Sequence, residues 1–507
     1  MLIAIFALLL VSVVAIALIV SSGTETTLAR NYRTSTSAYY AGLAGLEEGR
    51  GRLSWRNPDS IYKAAPGFMQ LPGPGVPPLN SSQVLYILNP AGGETVAPWD
   101  LSNPSTYPDS EYFQEYGIVP TQSSIPSMSN NGGIPSPLYK WVRVTPATAA
   151  SLGVDLFNSG PPYSNSAVFY DPIHSDNGGF RPSLVATQSD QTTRQAIEIT
   201  ALAVLPNNTQ KMVQYVVAPM GLFFHSALEM PGVVGTFKGP QSQNFQVSGI
   251  DGSDGSGPPA VLPGCIAGDP SMAGVGVTDA AGLTPNYSTV VNGIPPGPPP
   301  PATSYASNYT GALVPSNPPT PPAPPSVQEN VYVDAALASP SALSGTIQRI
   351  VQSADVVLTP TGSGGLPGTA TDASLPTQMS QNNPMIVVVN GNLKLSGTVN
   401  GYGLLVVTGD YTTTAGANVI WKGLVMVVGT GNVSLSGSNS YIGNFFVAQI
   451  EQPFGNPLTS FGTVTFDASN ATSGAAGQGI YHNSCWIRAA LLPSNYKILS
   501  FREIPYP

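Results

Sequence analysis

Residues 1–20, MLIAIFALLLVSVVAIALIV, carry no charge and a single hydroxyl, Ser12. An α-helix rises about 1.5 Å per residue, so such a run makes a rod about 30 Å long, the thickness of a bilayer's hydrocarbon core. The run does not stop there. Residues 21–27 lead into LARNYRTSTSAYYAGLAGLEEGRGRLSW, where Leu28, Tyr32, Tyr39, Leu43, Leu46 and Leu53 keep helical spacing and no proline appears before Pro58. The pattern predicts one long helix over residues 1–56, apolar over 1–20 and amphipathic over 24–56.

A signal peptide combines a basic n-region with a shorter apolar stretch and a small-residue cleavage site. Here the apolar run is of full bilayer length and no Lys or Arg precedes it. The expectation is a membrane anchor, or an export segment whose charged leader has been removed ahead of Met1. Gly23, flanked by Ser21 and Ser22, is the expected point for the helix to loosen. Ala38, Gly42, Gly45 and Gly49 place small residues along one side. Glycine costs about 1 kcal/mol in a helix interior relative to alanine, so close approach of another element must offset it. That element is either the chain's own sheet or a second subunit.

Behind the helix the composition changes. Charged residues make up 9% of the chain, against about 25% in ordinary globular proteins. Gly 54 and Pro 51 together exceed a fifth of it. Hydroxyls and amides, not charges, keep such a surface wet, which suits an extracellular protein. The net charge of −9 includes no basic stripe, so the electrostatic footprint of a nucleic-acid binder is missing. The predicted fold is α+β, mainly β. It divides into the helix, an antiparallel β-rich domain over 57–250, Pro/Gly-rich loops and linker over 251–330, and a β-solenoid-like domain with a closing segment over 331–507.

Short apolar or alternating runs at 84–88, 139–144, 195–204 and 212–217 read as strands of an antiparallel sheet lying against the amphipathic half of the helix. IPPGPPPP (294–301) and NPPTPPAPP (317–325) favour polyproline spacers. A helix follows over 340–351, with Ser339 as cap and Pro340 at its first position. Then come MIVVV (385–389), GLLVV (403–407), GLVMVV (423–428) and GNFFVA (443–448), with Gly403, Gly423 and Gly443 twenty residues apart. A fixed period with one buried strand per repeat signals a solenoid. Residues 385–450 read as about three coils of a right-handed parallel β-helix, with a β-sandwich as the alternative.

Catalytic constellations are scarce. His174, His225 and His482 lack HExxH spacing, and no GxSxG elbow, P-loop or CxxC pair occurs. A polysaccharide-degrading solenoid needs clustered carboxylates, and 385–450 offers only Asp410. No enzyme and no cofactor are expected, beyond a weak Ca²⁺ candidate at Asp251 and Asp254. That loop lacks the third acid and distal Glu of an EF-hand, so a plain turn is the stronger interpretation. Cys265 and Cys485, the only cysteines, suit either one disulfide in an oxidising compartment or two buried thiols. Sequons at Asn80, Asn207, Asn286, Asn308, Asn432 and Asn470 permit glycosylation, although a chain this rich in Asn, Ser and Thr makes several by chance.

Residues 21–50, SSGTETTLARNYRTSTSAYYAGLAGLEEGR, resemble the start of PilX-type type IV pilin-like proteins. Thr24-Glu25-Thr26, Asn31-Tyr32-Arg33, and Tyr40-Ala41 with Ala44-Gly45-Leu46-Glu47 carry the resemblance. Residues 386–431 and 484–505 are similar to large members with a solenoid-like passenger, while 57–330 match loosely. The resemblance implies a structural subunit of a pilus-like extracellular filament on a bacterial surface. On that resemblance, prepilin peptidase would remove a short basic leader, and Met1 would become the methylated N-terminus. The helix would reside in the inner membrane until the pilus assembly machinery adds it to other copies or other pilins. Leu2, Ile5, Phe6, Leu9, Val13, Ile16 and Ile19 would then build the filament core. Three departures stand out: Ile5 replaces the usual Glu, Leu43 replaces another family Glu, and the proline that breaks the helix near residue 22 is absent. A minor or tip pilin, or a membrane-anchored adhesin or carbohydrate-binding protein, are the alternatives.

Overall fold

The computed structural model describes residues 1–69, 79, 83–116, 121–128, 138–156, 158, 160–170, 179–182, 194–219, 222–263, 265–268, 271–278, 286–296, 305–312, 325–329, 336–362, 368–451, 457–472, 477–492 and 496–505. Asn80 and His174 lie outside them. One helix, α1, runs unbroken from Leu2 to Arg52. Its 51 residues make a rod about 77 Å long. Arg50 and Arg52 sit in its last turn, where cations favour the exposed carbonyl end. The first 33 residues are all exposed, whereas Ala38, Gly42, Gly45, Leu46, Gly49 and Arg52 are buried.

What buries them is a six-stranded sheet. Its strands are β1 (Gln83–Leu88), β2 (Thr121–Pro126), β3 (Tyr139–Pro146), β4 (Ile197–Val204), β5 (Gln210–Pro219) and the C-terminal strand Tyr496–Ile504, in the order β2-β1-β3-β4-β5-C-terminal. All neighbours are antiparallel except β1 and β2. The two-residue period of a strand sends Val142, Val144, Ile197, Ile199, Ala201, Val213 and Val217 into one core with Leu46 of α1. Trp141, Leu202, Val204 and Met212 enter a second core on the opposite face. Alternation in 195–204 predicts a half-buried strand, yet β4 is buried at all eight positions. The face that would have met water is covered by the segment bearing helix Ser110–Tyr116, whose Tyr112 joins that second core.

The chain leaves this sheet at Pro219 and returns at Tyr496, beside the strand it left: Lys497 pairs with Ala218, Phe501 with Tyr215 and Ile504 with Met212. Everything between is carried on two adjacent strands. The boundaries drawn from composition therefore fall elsewhere in the structure. Ser226–Met230, Val233–Lys238 and Phe245–Ser248, assigned above to the antiparallel domain, join a parallel sheet, as does Ala273–Val277 from the expected linker. Residues 496–504, assigned to the solenoid, belong to the first sheet.

Among the described residues the second sheet has sixteen strands, and its pairs are parallel. Such pairing differs from the antiparallel strands of a β-sandwich. Met385–Val389, Thr398–Val407, Asn418–Gly429 and Asn432–Gln449 stack in one ladder. In it Gly403, Gly423 and Gly443 stand opposite one another with φ of 111°, 136° and 141°. A Cβ on Gly443 would lie 1.8 Å from the Gly423 carbonyl oxygen. The twenty-residue period is thus a column of glycines, each at the same kink. Trp421, Tyr441, Phe445 and Phe466 fill the interior beside it. Helix Pro340–Gln352 begins as its sequence predicts, with the Ser339 hydroxyl accepting from Ala342 N at 3.2 Å.

Candidate functional site

Over residues 2–20 α1 is apolar on every side. Leu2, Ile5, Phe6, Leu9, Val13, Ile16 and Ile19 are all exposed, and so are Ile3, Leu8, Leu10, Val11, Val14, Leu18 and Val20. A helix with one greasy stripe is satisfied by one neighbour, whereas a helix that is greasy all round needs apolar surroundings on all sides. By length and composition it is long enough to cross a membrane. Its hydroxyls fit that setting. Ser12, Thr24, Thr26 and Thr27 donate to the carbonyls of Leu8, Val20, Ser22 and Gly23 at 2.8–2.9 Å, leaving no hydroxyl hydrogen for water. Gly23 lies within the continuous helix. The Thr26 and Thr27 hydroxyls donate to the carbonyls of Ser22, just before it, and of Gly23 itself.

Seating begins at Ala38. A Cβ on Gly42 would lie 2.7 Å from Val213 Cγ2, one on Gly45 3.1 Å from Ala201, Tyr139 and Val142 atoms, and one on Gly49 2.7 Å from Ile199 Cγ2. The small-residue stripe therefore faces the chain's own sheet, which settles the choice left open above. Polar contacts fix the base. Glu48 accepts from Met128 N at 2.8 Å, from the Tyr139 hydroxyl, and pairs with Arg52 at 3.0 Å. Arg56 pairs with Asp355 at 2.8 Å and donates to Leu492 O and Pro384 O. That ties the end of the stem to the parallel sheet. Burial lowers the Arg56 pKa, and Asp355 opposes the shift.

The face of the sheet away from α1 holds a charged network that the sequence did not disclose. Arg143 donates to both carboxylate oxygens of Asp109 at 2.8 and 2.9 Å and to Glu111 at 2.6 Å. Burial alone would favour neutral Arg143, but Asp109 and Glu111 outweigh it and hold its pKa up. Close by, burial and then Glu198 and Glu111 push the Glu115 carboxyl up to about 8. Burial likewise pushes Glu198 up to about 7. Arg143, Glu198, Thr200 and Gln214 alternate with apolar residues, so in sequence they look like a wet face.

The other candidates are dispersed. Cys265 and Cys485 form a disulfide, S–S 2.07 Å, across a separation of 220 residues. Asp251 accepts from Ser484 N, the Ser484 hydroxyl and Gly268 N at 2.6–2.7 Å. Asp254 accepts from the Asn483 side chain and Ser256 N, both at 2.9 Å. These carboxylates bind the loop to the start of helix Ser484–Ala490 beside the disulfide, so the Ca²⁺ candidate is better explained as a loop clamp. Among the described residues no three His, Cys, Asp or Glu side chains come together as a metal site. Asp410 accepts from Thr430 and Asn432. Asn207, Asn432 and Asn470 are exposed. Asn286 is buried and its amide donates to Gly232 O and Thr278 O, while that of Asn308 donates to Ser242 O and Phe245 O. Neither of those two amides is free to carry a glycan. A cleft of about 450 Å³ between helix Pro340–Gln352 and the parallel sheet is lined by Ile347, Gln348, Val351, Asn390, Thr408 and Glu451, without a nucleophile paired to a base.

No protein-family model, no curated protein and no solved structure matches this chain.

Proposed function

We propose that this chain is a structural subunit of a type IV pilus-like filament on a bacterial surface, akin to PilX-type pilin-like proteins. One observation carries the proposal. A single helix is apolar on every side for its first 20 residues and locked for its last third against a sheet closed by the chain's own C-terminal strand. Exposed to water, 14 Leu, Ile, Val and Phe side chains over residues 2–20 forgo on the order of 20–40 kcal/mol of burial free energy. The helix therefore has two stable environments, lipid or other such helices. Moving between them gains little hydrophobic free energy, which gives an assembly machine its role, and escape from a formed filament into water is opposed by the full term.

The inserted region from 222 to 492 is the surface cargo, a β-solenoid whose twenty-residue coils stack through the glycine column. Inner-membrane residence before assembly, removal of a leader ahead of Met1 and methylation there belong to the same proposal. Shearing surface filaments and sequencing them by mass spectrometry tests it. The expected result is this chain in abundance with a methylated Met1 at its N-terminus. Recovery of the chain only from membranes, with none in filaments, would favour an anchored adhesin and overturn the proposal.

A further inference from the structure

The first 33 residues, all exposed, carry three charged side chains, Glu25, Arg30 and Arg33. All three lie just beyond the apolar run, on the side toward the sheet. Glu25 is five and eight residues from the two arginines, and only three- and four-residue spacings bring side chains together on one helix. Among the described residues they make no ion pair. At about 100° per residue, Arg33 lies about 80° and Arg30 about 140° around the helix from Glu25. The stem therefore presents an anionic flank and, displaced along and around it, a cationic one.

On the filament proposal above, we infer that Glu25 of one copy pairs with Arg30 and Arg33 of a neighbouring copy, so that this charged collar sets the axial stagger between stems. Parallel helices offset by about 7.5 Å place Glu25 level with Arg30, and by about 12 Å level with Arg33. The occupant is a second copy because the flanks are complementary in sign and different in place. Each pairing leaves the outer Glu25 and the outer arginines free for further copies, as an open heterologous array requires. Anionic lipid headgroups would satisfy the arginines and repel Glu25.

The test uses full-length chains expressed in cells lacking the parent copy, with sheared filaments and the folded, disulfide-bonded membrane pool both quantified. Glu25→Arg alone and Arg30→Glu/Arg33→Glu together each lower filament yield by more than about tenfold while the membrane pool is unchanged. Co-expressing these two variants, which are mutually complementary, restores filaments, and so does combining all three substitutions in one chain. Filaments at parental yield in both the Glu25→Arg and the Arg30→Glu/Arg33→Glu variants, or no rescue with the membrane pool intact, overturns the pairing and leaves the filament proposal standing. Absence of the parent chain from filaments removes both.

Discussion

Gly49 is where the seat of the helix can be tested most sharply. A Cβ there would come 2.7 Å from Ile199 Cγ2 and 3.0 Å from Val142 Cγ1, against a comfortable carbon–carbon separation of about 3.5–4.0 Å. Gly49→Ala thus forces helix and sheet apart by roughly 1 Å, and overpacking of that kind costs about 1–3 kcal/mol. Alanine returns about 1 kcal/mol of helix propensity, so a net loss of about 1 kcal/mol is expected, rising to about 2. Ile199→Ala removes the clashing methyl at a cavity cost of about 2–5 kcal/mol, and the new Cβ then occupies part of the vacated space. The double variant should be more stable than the sum of the singles by about 1–2 kcal/mol. Gly23→Ala, which meets nothing within 4 Å, is the control and should not destabilise. Urea unfolding of the detergent-solubilised chain, followed by amide protection over residues 38–50, supplies the numbers. Additivity within about 0.5 kcal/mol, or a Gly49→Ala as benign as Gly23→Ala, refutes the close seat.

Other consequences follow from the buried charges, the disulfide and the rungs. Glu115 and Glu198 ionise near 4.5 when unfolded but are held protonated up to about 8 and about 7 when folded. The folded state then binds protons that the unfolded state has lost, so their contribution is full below pH 4.5 and stability falls as pH rises toward 8. Glu198→Gln should match the parent near about pH 4 and exceed it by up to about 3 kcal/mol near about pH 9; a difference independent of pH contradicts the assignment. Cys485→Ser opens a 220-residue loop and should cost about 5 kcal/mol in the chain-entropy account, seen as a lowered melting temperature that reductant reproduces in the parent and does not alter in the variant. A Cβ on Gly401 would fall 1.9 Å from the Trp421 ring, so Gly401→Ala should lose about 3 kcal/mol or more. Trp421→Leu in that background should recover part of it, and no recovery would point to backbone strain.

The stem was legible because its signal is local: twenty uncharged residues and a helical spacing that continues past them. The glycine spacing was legible too, since Gly403, Gly423 and Gly443 repeat a backbone requirement at a fixed interval. Other features depend on distant partners. Nothing in 496–504 shows that its neighbour is β5, reached only after the chain has completed an entire parallel sheet. Arg143 and Glu198 sit at polar positions of alternating strands, the usual mark of a solvent face. Only the fold brings Asp109 and Glu111 over them, from a loop and a short helix with no periodic signal. The direction of the small-residue stripe likewise needed the positions of Val213 and Ile199.

A density map of surface filaments at side-chain resolution distinguishes a filament subunit from a lone membrane anchor. The expected map has a core of parallel α-helices whose side chains fit residues 2–33 of this chain, with the six-stranded sheet and its inserted parallel sheet outside. A core built from another protein's helix, with this chain remaining as a lone membrane anchor, would contradict it.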